Sequence, residues 1–146
     1  MPVRRLRANS FAAVVMLVVE YCLGIWVNLY GQLPASDHGA SITTGFAWAI
    51  NKGPVGLSVH SLRGVILIVS ALTAVVRAVL VRRPAPIGAT AVGLVAVVMA
   101  AFSGASFVGD GSNDSWMGMA VAAGVAVAAG GLVLLLSAGV AVLSRP

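Results

Sequence analysis

Three residues of this chain could do chemistry where they stand: Glu20, His60 and Arg63. His60 and Arg63 belong to the stretch Val59-His60-Ser61-Leu62-Arg63-Gly64, inside an otherwise apolar segment, and Glu20 interrupts another. A carboxylate there can carry a proton, and an imidazole can pass a proton or ligate a metal. A guanidinium stays charged and acts as a fixed cation. A charged side chain at the centre of a bilayer costs about 2.5–3.5 kcal/mol on insertion scales, so each of these residues needs a partner or a purpose. Asn28, Ser103 and Ser106 are further polar positions in apolar runs, and His38 is the second histidine, in a polar connecting segment.

The elements that position them are apolar and long. Of 146 residues 60% are hydrophobic and 9% charged, with a mean hydropathy of +1.02. Soluble domains carry about 25% charged residues, so this composition is that of a membrane protein. Four runs suit membrane spans: Phe11–Leu33, Val55–Val81, Ile87–Val108 and Ser115–Leu143. About 20 residues cross a hydrocarbon core of ~30 Å, and each run meets that length. The first run is too long for the apolar part of a signal peptide and contains Glu20. Trp26 and Tyr30 near its far end suit interfacial anchors. Ile42–Ile50, with Phe46 and Trp48, reads as a short helix or turn lying in the interface. Arg82-Arg83-Pro84-Ala85-Pro86 reads as a tight turn between antiparallel helices, and Gly109–Asp114 as an acidic one.

The net charge of +5 does not describe a nucleic-acid surface. Arg4, Arg5, Arg7, Arg77, Arg82, Arg83 and Arg145 fall on one side of the predicted membrane, and Lys52, Asp37, Asp110 and Asp114 on the other. By the positive-inside rule the arginine side is cytoplasmic. The expected fold is therefore all-α, a four-helix transmembrane bundle forming one domain over residues 1–146, with both termini cytoplasmic. Gly118, Ala122, Ala126 and Gly130, and likewise Ala96, Ala100 and Gly104, recur at four-residue spacing. Such small residues let neighbouring helices approach in lipid. Cys22, the only cysteine, has no partner for a disulfide or a Cys-x-x-Cys pair and reads as a buried, inert thiol.

Counting residues from the ends of the spans places Asn28, His60, Ser103 and Ser106 roughly 3–8 Å below the outer interface. Glu20 and Arg63 lie deeper. The economical arrangement turns these residues inward, with a Glu20–Arg63 ion pair and an Asn28–His60–Ser103 group. Such a cluster either fixes helix register or forms a site, with Glu20 as proton carrier or His60 as ligand.

Three stretches resemble a family of small four-helix bacterial membrane proteins with no assigned activity: Gly24-Ile25-Trp26-Val27-Asn28-Leu29-Tyr30 with Pro34 and Asp37-His38-Gly39-Ala40, His60-Ser61-Leu62-Arg63-Gly64, and Ser103-Gly104-Ala105-Ser106-Phe107. The resemblance implies architecture and a bacterial cell membrane, and no chemistry. His60 followed four residues later by Gly64 is also similar to the haem-ligating helices of b-type cytochromes. That likeness implies haem b at His60, with His38, a second copy of His60, Met117 or Met119 as the other axial ligand.

Three functions follow as expectations. The first is an accessory or interaction protein in the bilayer, as a homo-oligomer or in a larger membrane complex, with its polar cluster near the outer face. The second is a haem-binding electron carrier. The third is a small proton-coupled transporter acting as an oligomer through Glu20. The pattern points away from an enzyme: Asp110 and Asp114 sit in a turn, and Asp37, His38 and His60 have no recognisable metal-ligand spacing.

Overall fold

A computed structural model describes residues 2–30, 41–110 and 113–143. They form five helices: α1 (Pro2–Tyr30), α2 (Ile42–Asn51), α3 (Val55–Val81), α4 (Pro84–Asp110) and α5 (Asn113–Leu143). All but α2 are long and apolar enough to cross a membrane. The fold is all-α, and α1, α3, α4 and α5 are its four candidate spans. In the bundle α1 packs on α3 and α5, and α4 packs on the same two helices from the opposite corner. The short α2 lies across the ends of α3 and α4.

The core follows a heptad pattern. On α1, Leu6, Ala13, Glu20 and Val27 recur every seven residues, as do Ser10, Leu17 and Gly24. Six of these seven are buried, and Ala13 is half-buried. On α3, His60, Leu67 and Ala74 form the matching series. A 3.5-residue period keeps one seam facing its neighbours along the whole helix, which is coiled-coil-like packing. Three layers result: Leu6, Ala74, Ala78, Ala89 and Val133 at one end, Leu17, Leu67, Ala96, Val97 and Ala126 in the middle, and Val27, Ala49, Leu57 and Val108 at the other end. Large apolar residues such as Phe11, Leu62, Val95 and Leu135 point outward, as a lipid-facing surface requires.

The stripes of small residues serve different neighbours. Gly118 meets Ser103 of α4, Ala126 is buried in the middle layer, and a Cβ on Gly130 would fall 2.6 Å from Cγ2 of Val14 on α1. Gly104 receives the sulfur of Met119, and Gly93 faces Ala129.

Several boundaries differ from the sequence expectation. The first helix begins at Pro2 rather than Phe11, because arginine is a good helix former and proline suits a first turn. Leu6 and Ser10 consequently join the core. The Arg82–Pro86 turn shrinks to Arg82 and Arg83, with Arg82 in the left-handed region at φ 55°. Pro84 and Pro86 lie in the first turn of α4, where the missing N–H groups cost no helical bond. The Ile42–Ile50 segment is a helix, capped by Ser41, whose Oγ accepts from the N–H of Thr44. Cys22 is exposed on the surface of the bundle rather than buried, since it lies off the α1 seam.

Candidate functional site

Glu20 sits at a core position of α1 and is 8% exposed. Two residues of α3 reach it. Nε of Arg63 donates to Oε2 at 3.2 Å, and Nδ1 of His60 lies 2.7 Å from Oε1. Oε1 stands off the N–H direction of the ring, so this second contact is close without being an aligned hydrogen bond, and among the described residues buried Nδ1 has no other partner. The protonation state of the ring decides whether the contact is an ion pair. Arg63 keeps about a third of its side chain exposed (32%) while its guanidinium meets the carboxylate.

The His60–Glu20 contact departs from the expected depths. Reading inward from helix ends put His60 with Asn28 and Ser103, outward of Glu20. The two helices are staggered: Gly56 lies against the ring of Trp26, so α3 starts level with Trp26 and not with Tyr30. The stagger is about four residues, or ~6 Å, and lowers His60 to Glu20. The short α2 packs against α3 and α4. Ser58 ties α2 to α3, donating to the carbonyls of Ala49 at 2.9 Å and Gly53 at 3.1 Å.

Of the other predicted members, Asn28 lines the same cavity as Glu20 and His60, while Ser103 and Ser106 are not among its lining residues. Asn28 is exposed and, among the described residues, makes no hydrogen bond to His60. Ser103 turns toward Gly118 of α5, and Ser106 is half-buried on α4. His38 and Asp37 lie outside the described residues, so a contribution from the outer segment rests on the sequence alone.

A cavity of about 120 Å³ opens beside the cluster. Glu20 and His60 supply its ionisable wall, Gly24, Gly64, Gly104, Ala120 and Ala123 make room for it, and Phe46 of α2 closes the outer end. Leu17, Leu67, Val97 and Ala126 separate it from a second cavity of about 40 Å³ further along the bundle. Gly24 stands in a stretch that the sequence singles out, but the packing of the His60 ring against it and the part of α2 in the cavity wall are not readable there. The heptad series running through Glu20 and His60 is the signal that points both side chains inward.

The space beside His60 is small for a haem. The enclosed space lies below the ~300–1,000 Å³ of sites for drug-sized ligands, and a porphyrin needs at least that much. Of the candidate axial partners, Met119 turns its sulfur toward Gly104 and Met117 is exposed. Among the described residues, no three metal-ligating side chains gather. No family model, curated protein or solved structure matches this chain. What fold and composition define is a small multi-pass helical membrane protein.

Proposed function

We propose that this chain is an accessory protein of a bacterial cell membrane, with cytoplasmic termini, whose Glu20–His60–Arg63 cluster is a membrane-embedded binding site. The observation that carries the reading is the pairing of an ionisable cluster with a cavity on one side and a closed layer on the other. Glu20 and His60 border about 120 Å³ of space, while Leu17, Leu67, Val97 and Ala126 block the way inward. A site reached from one side suits binding better than passage. The orientation rests on the arginines: Arg77 donates to the carbonyl of Arg5 at 3.1 Å, so the N-terminal arginines of α1 and Arg77 of α3 share one end of the bundle.

A cluster kept only for stability behaves differently from one kept for binding. Replacing a buried ionic group by well-packed apolar residues is often neutral or stabilising. Residues kept for function at a cost in stability show that pattern. The triple variant Glu20→Leu, His60→Leu, Arg63→Leu is therefore expected to unfold in detergent at the wild-type temperature or above. A lower midpoint, equivalent to a loss of more than about 2 kcal/mol, would make the cluster a structural device and overturn the binding reading.

The 2.7 Å contact between a carboxylate and an imidazole favours a second reading, proton exchange at Glu20 coupled to transport. Proton flux into proteoliposomes that Glu20→Gln leaves unchanged would remove it.

A further inference from the structure

The cavity also has a side door. Val14, Tyr21, Ile25 and Asn28 share one face of α1 at spacings of seven, four and three residues. Val14 presses on Gly130, so this is the face that meets α5. Further out on the same face Tyr21 is 44% exposed and Ile25 36%, yet both line the cavity together with Ala120 and Ala123 of α5. Beyond the Val14–Gly130 contact, Tyr21 and Ile25 of α1 and Ala120 and Ala123 of α5 thus border the cavity, and the exposure of Tyr21 and Ile25 puts this border at the surface of the bundle.

Resting on the binding reading above, we infer that this cavity takes a membrane-dissolved one-ring aromatic alcohol, a phenol, which enters laterally between α1 and α5. Size sets the ring: a dry cavity of about 150 Å³ holds benzene, and this one is slightly smaller and open at one side. The walls favour an aromatic ring, because Phe46, Phe107 and Met119 supply ring faces and a polarisable sulfur. The polar wall fixes the head group. Glu20 shares the polar part of the wall with Tyr21, Asn28 and Ser61, and its carboxyl oxygens can accept a hydrogen bond, so a hydroxyl on the ligand finds an acceptor there. A phenol whose 4-position carries an alkyl chain can leave that chain in the opening, in contact with lipid.

The test measures the unfolding midpoint of the detergent-solubilised protein against concentrations of 4-methylphenol, 4-octylphenol and toluene. Ala123→Leu, which fills the cavity, controls for partitioning into the micelle. A bound ligand raises the midpoint in a saturable way. Both phenols are expected to do so for the wild type and not for Ala123→Leu. Glu20→Gln is expected to weaken 4-methylphenol about tenfold or more, the worth of a charge-assisted hydrogen bond, and to leave toluene unchanged. Ala120→Phe, placed in the opening, is expected to weaken 4-octylphenol more than 4-methylphenol. Equal response to toluene and 4-methylphenol, an Ala123→Leu response like the wild type's, or no response at all would each overturn the ligand class. Should Ala120→Phe affect both phenols alike, lateral entry falls. The binding reading is judged separately, by the stability of the triple leucine variant.

Discussion

The ring of His60 lies where a side chain on Gly24 would stand: a Cβ at Gly24 would be 3.2 Å from Cε1 and 3.7 Å from Nε2. This vacancy lets the imidazole reach Glu20 across the α1–α3 interface. A leucine at 24 would push the ring from the carboxylate and part the helices. Gly24→Leu is expected to cost about 1–3 kcal/mol, the range of overpacked cores. Gly24→Ala should be close to neutral, because the gain in helix propensity of ~1 kcal/mol opposes a small displacement of the ring. Reversible unfolding of both variants in mixed micelles checks the order.

Val14 and Gly130 make the close approach of α1 to α5. Gly130→Leu should destabilise by about 1–3 kcal/mol. Adding Val14→Ala to that variant should restore part of the loss, since the two side chains then compete for less space. A double-mutant cycle with no coupling between the sites would contradict the packing described here.

Removing one member of an ion pair is worse than removing both. Glu20→Ala leaves Arg63 facing the core without a carboxylate. The expected loss is about 1–3 kcal/mol, below the 3–5 kcal/mol of fully buried pairs because Arg63 is partly exposed. Glu20→Ala with Arg63→Met should be more stable than Glu20→Ala alone. Comparing the midpoints of the single and double variants decides it.

Ser58 fastens α2 to the start of α3 through the carbonyl of Ala49, its hydroxyl hydrogen shared with the carbonyl of Gly53 in the connection. Ser58→Ala should lower stability by about 0.5–1.5 kcal/mol, the ordinary worth of a hydrogen bond. It should also speed hydrogen exchange in α2 (Ile42–Asn51) more than in α1, measured by mass spectrometry.

Much of the architecture was legible in the sequence, for a physical reason. Lipid leaves a spanning backbone only a few ways to satisfy itself, so length and apolarity alone separate four candidate spans from one short helix. The seven-residue series through Glu20 and His60 likewise tells which way these side chains turn. Their shared depth was not legible. It depends on the stagger of α1 against α3, which shows in Trp26 seating on Gly56. Contacts between distant parts of a chain leave no periodic trace. Counting inward from the ends of helices assumes that the ends are level, and here they are not. The turn at Arg82 was misread because proline marks helix beginnings as well as turns.

Glu20, His60 and Arg63 all belong to α1 and α3. From Pro84 to Leu143 the only charged residues are Asp110 and Asp114, where α4 and α5 approach each other. During synthesis α1 and α3 leave the ribosome first, so the first hairpin carries its own countercharges. It can balance them before the second hairpin exists. The later pair arrives with nothing to neutralise and joins through small side chains. Birth order and charge distribution therefore agree, and a chain interrupted after Val81 would still hold a complete ionic cluster.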